Sequence, residues 1–275
     1  MDLGLEDKVA LVAGGSSGIG LAIATELARE GAHVAIGARG DDQLKLAVRG
    51  IEEVARGRVT GTRIDTADRE ASRRWVDEVA ADFGALHVVV VSGGSPPFGA
   101  ASLFELPEYE AAVEQVLYPA VGLALAALPH LKSAGWGRLL FVASETAVVP
   151  LASLALSGVT RAAIARFAQG LAADVARDGI TVNVLAPGSV RTPPLERAAA
   201  KLAGGGDVAD TLAAMGRHSA VGRLGRPEEI SAMAAFLASE RASFITGGVH
   251  LLDGGARVVG PPMMHLSRND NAAYF

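Results

Sequence analysis

The chain contains no cysteine, which removes disulfides and a thiolate nucleophile from its chemistry. It has no long basic run, and its formal net charge is −5 over 275 residues. Without a positive patch, nucleic acid and anionic membrane surfaces are disfavoured as partners. Glycine or charge interrupts the apolar stretches every few residues, so no membrane-spanning segment is expected. The opening Met1-Asp2-Leu3-Gly4-Leu5-Glu6-Asp7 lacks the basic and apolar regions of a signal peptide, and cytoplasmic residence is the expectation. There is no internal repeat and no linker long enough to divide the chain. His33, His87, His130, His218, His250 and His265 are scattered without the short-spaced pairs that ligands on one strand or helix need, so no metal centre is expected.

What is present is apolar and regularly spaced. Half of the residues are hydrophobic, enough for one large core, and a single α/β domain is expected over residues 1–260, followed by a polar tail at 261–275. Buried apolar segments alternate with longer helical ones. Strands are predicted at Lys8–Ala13, His33–Gly37, Val59–Ile64, Leu86–Val91, Gly137–Val142, Thr181–Leu185 and Val249–Leu252. This pattern points to an α/β fold: a doubly wound, seven-stranded parallel sheet with helices on both faces and a crevice where strand order reverses. The stretch 192–224 breaks the rhythm with a Pro-Pro pair, a Gly204-Gly205-Gly206 run and weak periodicity, and reads as a mobile insertion over that crevice.

Between the first strand and the first helix lies Gly14-Gly15-Ser16-Ser17-Gly18-Ile19-Gly20. Gly14, Gly18 and Gly20 allow a tight reversal and close backbone approach, and the helix that follows offers unpaired N–H groups and its positive dipole end to a phosphate. Ser16, Ser17 and Ile19 belong to the same cofactor-binding turn. At the end of the second strand, where a carboxylate would grip the ribose of NAD, stands Arg39. A guanidinium there favours a 2′-phosphate, so NADP(H) is expected in preference to NAD(H). Asp65, after the third strand, is placed to accept a hydrogen bond from the adenine amino group, or to cap the helix that follows.

These features, in this order, resemble the short-chain dehydrogenase/reductase family, a single-domain Rossmann-fold group, across nearly the whole chain. The family's glycine motif is similar to Ala13–Gly20, with Ala13 in place of its usual Thr. Its Asn-Asn-Ala-Gly turn appears as Val91-Ser92-Gly93-Gly94, where only the final Gly agrees. Its serine corresponds to Ser144, its Pro-Gly motif to Pro187-Gly188, and Thr192 is placed to bond a nicotinamide carboxamide. Arg223-Leu224-Gly225-Arg226-Pro227-Glu228-Glu229 and Asp253-Gly254-Gly255 resemble its C-terminal part. The resemblance implies a homodimer or homotetramer built on the long helices around 111–131 and 154–175. It also places the family's active-site Tyr at Ser157, its Lys at Arg161 and its helix Asn near Val116.

A phenol titrates near ~10 and can be tuned toward neutrality, whereas an aliphatic hydroxyl is a poor proton donor. Arg161, one turn from Ser157, can hold ribose hydroxyls but cannot relay a proton. Glu145 is therefore the first substitute donor, with Tyr118 second and His218 third; Tyr109 lies in the same region as Tyr118. Ser144 lacks the Gly-x-Ser-x-Gly turn of a hydrolase nucleophile. The expected function is an NADP(H)-dependent oxidoreductase acting on a carbonyl, alcohol or conjugated double bond of a small molecule. Leu103, Phe104, Val148, Leu151 and Leu154 are candidate walls for an apolar substrate. The alternatives are a sensing or assembly protein on the same fold, or a non-redox isomerase, lyase or cyclase.

Overall fold

The structure, a computed structural model, describes residues 2–259; the expectations for the tail at 261–275 and for His265 lie outside the described residues. Seven strands form one sheet: β1 (Val9–Ala13), β2 (His33–Ala38), β3 (Val59–Arg63), β4 (Val88–Ser92), β5 (Gly137–Val142), β6 (Ile180–Pro187) and β7 (Val249–Leu252). Their order is β3-β2-β1-β4-β5-β6-β7, and every neighbouring pair is parallel. The predicted strands are all present; Gly137–Val142 and Val249–Leu252 keep their bounds and the others shift at their ends by one or two residues. The chain winds outward from β1 to β3, returns past β1 to β4, and winds outward again to β7. Strand order therefore reverses between β1 and β4, and the crevice opens above their carboxyl ends.

The helices are α1 (Gly18–Arg29), α2 (Asp41–Glu52), α3 (Arg69–Phe83), α4 (Leu106–Ala112), α5 (Tyr118–Ser133), α6 (Ala155–Val175), α7 (Pro193–Ala203), α8 (Val208–Gly216), α9 (Pro227–Leu237) and α10 (Ala256–Val259). Alternation along β1 divides the core in two. Val9, Leu11 and Ala13 point to the layer shared with α3, α5 and α6, while Ala10 and Val12 point to the layer shared with α1, α2 and α9. Both faces being covered explains why the strands read as continuous apolar runs.

Two expectations need correction. Leu106–Ser133 forms a helical stretch of 28 residues that is long and apolar enough, by length and composition, to cross a membrane. No Asp, Glu, Lys or Arg occurs between Glu114 and Lys132. Its residues Leu123, Ala124, Ala127 and Leu131 are buried in the core beneath the sheet. The 192–224 stretch is more regular than its weak periodicity suggests, because its apparent breakers are helix punctuation. Prolines open α7, Gly204 at φ +55 closes it, and Asp207 accepts the Ala209 N–H at 2.7 Å to start α8.

The glycine turn is tied to the sheet through Gly37, whose carbonyl accepts the N–H groups of Gly14 at 2.8 Å and Gly15 at 3.3 Å. A methyl group on Gly37 would lie 2.5 Å from the ring of buried Trp75. Gly37→Ala is expected to overpack this layer and lower stability by about 1–3 kcal/mol, read as a shifted urea midpoint with unchanged slope.

Candidate active site

The site gathers along the carboxyl edge of the sheet. Gly14 adopts φ +72, and a methyl group on it would sit 2.0 Å from the Ser92 carbonyl oxygen at the end of β4. The Gly20 Cα faces the turn so closely that a methyl group there would lie 2.2 Å from the Gly14 carbonyl oxygen. Turn, helix and β4 thus meet backbone to backbone, leaving a cradle that side chains would fill. Ser17 begins α1 without a side-chain cap, and the first turn carries no acidic residue. The N–H groups at this helix start remain available to an anion, with no carboxylate to repel it. These residues fit the diphosphate of a dinucleotide.

The neighbouring groups are positioned from both sides. The Gln43 amide donates to the Ser16 carbonyl at 3.3 Å and ties α2 to the turn, while Ile19 packs on the core behind it. Thr192 begins α7 across the crevice, and its methyl group would lie 3.2 Å from a Cβ on Gly18, which adopts φ +55. Pro187 ends β6, and the Gly188 N–H donates to the Leu252 carbonyl at 3.1 Å. Asp65 accepts the Ala67 N–H at 3.1 Å in a local turn; the helix cap is Asp68, which bonds Ala71 at 2.9 Å. Arg39 is exposed just beyond β2.

Ser144, at the end of β5, accepts the Thr146 N–H at 3.3 Å, leaving its own O–H available to donate. The Thr146 hydroxyl shares a 2.9 Å hydrogen bond with that of Ser157. Thr146 therefore links Ser144 to Ser157. The sequence reading passed over this residue, although its place two positions beyond Ser144 was the available signal. Both Thr146 and Ser157 are buried, so the Ser157 hydroxyl belongs to the floor of the site.

Arg161 is also buried, and it faces main chain. Its guanidinium donates to the carbonyls of Val142 at 3.3 Å and Gly93 at 3.1 Å, and to that of Gly94. Its Nε is buried without a partner, and burial lowers its pKa to about 10, still charged at neutral pH. A pocket of about 20 Å³, enough for one water, lies between Gly93, Gly94, Gln115, Val116 and Arg161. The turn of π-helix at Val113–Leu117 forms one wall.

Glu145 follows Ser144 directly and is half-buried. One of its carboxylate oxygens would be 3.4 Å from a methyl group on Gly188, and Asp253 lies on the same side. Burial, reinforced by the charge of Asp253, raises its pKa above the ordinary glutamate range. Asp253 itself is engaged by the N–H groups of Gly255 and Arg257.

The other proposed donors stand apart. Tyr118 is 44 % exposed, with the Arg69 guanidinium 4.9 Å from its ring centroid, and among the described residues it forms no hydrogen bond to Ser144, Thr146 or Ser157. The Tyr109 hydroxyl donates to the Ala101 carbonyl at 3.1 Å. His218 is exposed on the segment after α8.

The family described as Enoyl-(Acyl carrier protein) reductase matches residues 13–257. The chain is 35 % identical over 259 residues to a cis-4-hydroxycyclohexanecarboxylate dehydrogenase of Sinomonas cyclohexanicum, covering 92 % of this chain and 98 % of the relative. Among solved structures it is similar to L-sorbose reductase from Gluconobacter frateurii complexed with NADPH and L-sorbose. That match has a TM-score of 0.89 at 35 % identity, covering 93 % of this chain and 98 % of the other. A 3-oxoacyl (acyl-carrier-protein) reductase from Agrobacterium tumefaciens with NADP bound matches with a TM-score of 0.84 at 29 % identity, over 92 % of this chain and 96 % of the other.

Two outcomes follow from the buried groups. Arg161→Met should cost about 1–3 kcal/mol in chemical denaturation, because orphaned carbonyls outweigh relief of the buried charge, and Arg161→Lys should restore part of it. Glu145 holds its proton more tightly folded than unfolded. Its contribution to stability is present below the ordinary glutamate range and is lost as pH rises through its raised value. Glu145→Gln should flatten that slope and stabilise the protein at neutral pH, measured by thermal melts across pH.

Proposed function

Because the chain belongs to the short-chain dehydrogenase/reductase family, we propose that it is an NADP(H)-dependent oxidoreductase in which Glu145 replaces the usual tyrosine as proton donor. Its substrate is a small carbonyl compound, the corresponding alcohol, or a conjugated double bond. The observation that carries this reading is the Glu145 carboxyl: half-buried, beside Ser144 and Gly188, and raised toward neutrality. When bound, the nicotinamide supplies or accepts a hydride at carbon.

The protein's own groups handle the rest. The free O–H of Ser144 donates to the substrate oxygen and orients it, and Glu145 delivers the proton as that oxygen becomes an alcohol. In the oxidative direction Glu145 takes the proton back. Ser157 and Arg161, whose bonds go to Thr146 and to three backbone carbonyls, act as positioning residues for the floor and for the turn after β4. Gly14, Ser16, Ser17, Gly18, Ile19 and Gly20 hold the diphosphate. Asp65 would meet the adenine, Gly93 and Pro187-Gly188 would hold the nicotinamide half, and Thr192 would bond its carboxamide.

With Leu103, Phe104, Val148, Leu151 and Leu154 as its walls, the site would take a modest, apolar substrate. The Gly99 N–H donates to the Ser153 carbonyl at 2.8 Å and Gly99 bridges Leu154, pairing the loops that carry Leu103, Phe104, Val148 and Leu151. Phe104 stacks edge-on against Tyr109, with ring centroids 6.3 Å apart, which stiffens one wall. Open space beside Gly122 and Gly170 on α5 and α6 admits close helix approach, in keeping with a homodimer or homotetramer.

The engagement of Ser157 by Thr146 and of the Arg161 terminal nitrogens by main-chain carbonyls favours a second reading, a protein that binds the nucleotide to report it. Nicotinamide absorbance over a broad carbonyl panel, together with calorimetric NADPH binding, separates the two. We expect turnover that Glu145→Gln lowers by about 10²- to 10⁴-fold with NADPH affinity retained. Tight binding with no turnover across the panel would favour sensing.

A further inference from the structure

We propose that Arg63 is a second determinant of cofactor choice, clamping the 2′-phosphate of NADP(H) together with Arg39; this rests on the NADP(H) reading above. The argument begins with register. β2 and β3 are parallel neighbours in which Ala38 pairs with Arg63, so the last residue of β3 stands beside the first residue beyond β2. The Arg63 Nε donates to the Arg39 carbonyl at 3.3 Å. One guanidinium is thereby anchored to the main chain of the residue that carries the other.

Among the described residues, neither guanidinium lies within 4.0 Å of a carboxylate, a condition they share with other surface arginines such as Arg49 and Arg74. The adjacent carboxylate, Asp41, is taken by Lys45 at 2.6 Å. Lys45, with weaker help from Arg63, holds Asp41 below the ordinary carboxylate range. Two exposed arginines thus occupy neighbouring positions on the sheet edge, in a chain of net charge −5, next to the turn that Gln43 ties to Ser16. A phosphate dianion within reach of both side chains would receive two charge-assisted contacts. The anchored Nε leaves the two terminal nitrogens of Arg63 as the fork that meets the phosphate.

The test is equilibrium binding of NADPH, NADH, 2′,5′-ADP and 5′-ADP by calorimetry to the full chain and to Arg39→Ala, Arg63→Gln and Arg63→Lys. Arg63→Gln should weaken NADPH and 2′,5′-ADP by about 5- to 30-fold, leave NADH and 5′-ADP within about two-fold, and reduce the salt dependence of NADPH binding. Arg63→Lys should recover part of the loss. Equal weakening of NADPH and NADH by Arg63→Gln would make Arg63 a mere support for the Arg39 turn and overturn the proposal. So would an unchanged NADPH affinity in Arg63→Gln while Arg39→Ala loses it. A wild-type protein that binds NADPH no tighter than NADH would instead overturn the NADP(H) reading, and this proposal with it.

Discussion

The structure depends on a steric constraint at one place, the contact between the glycine turn and the end of β4. With 2.0 Å between a would-be Gly14 methyl group and the Ser92 carbonyl oxygen, only a residue without Cβ lets β1, α1 and β4 converge. That convergence sets the position of the crevice, because strand order reverses between β1 and β4. It also fixes the turn after β4, whose Gly93 and Gly94 carbonyls then receive Arg161. The phosphate cradle and the floor of the reaction centre are consequently parts of one backbone arrangement.

Electrostatics divides the edge into two ends. At the β2–β3 end the surface carries exposed cations without carboxylate partners. At the β5–β7 end a half-buried glutamate faces an aspartate, and desolvation keeps it protonated to higher pH than a surface carboxylate. Between them lies Arg161, a buried cation whose neighbours are carbonyl dipoles rather than a carboxylate. The edge is thus cationic at one end and carries a readily protonated carboxyl at the other.

Much of the fold was legible in the sequence. Apolar runs such as 88–92 and 137–142 are strands because both sheet faces are covered, and the glycine turn announces itself by spacing. The two helices within 192–224 were illegible because their ends, a proline pair, three glycines and an aspartate, read as a loop until the caps are seen in place. Arg39 was visible from its position after a strand. Arg63 was not, since its significance comes from the β2–β3 register, which no local pattern encodes. Likewise the separation between Ser157 and Tyr118 as chemical candidates rests on side-chain contacts: one hydroxyl bonds that of Thr146, and the other ring lies beside the Arg69 guanidinium.

The Thr192 methyl group lies so near Gly18 that a Cβ there would be 3.2 Å from it, which brings the start of α7 beside the start of α1. Individual carbon–carbon contacts contribute only about 0.1–0.2 kcal/mol each, below thermal energy, whereas α1 and β6 are anchored in the core. Side-chain motion at Thr192 alone is therefore enough to change the access of a nucleotide to the helix start, without rearrangement of the scaffold.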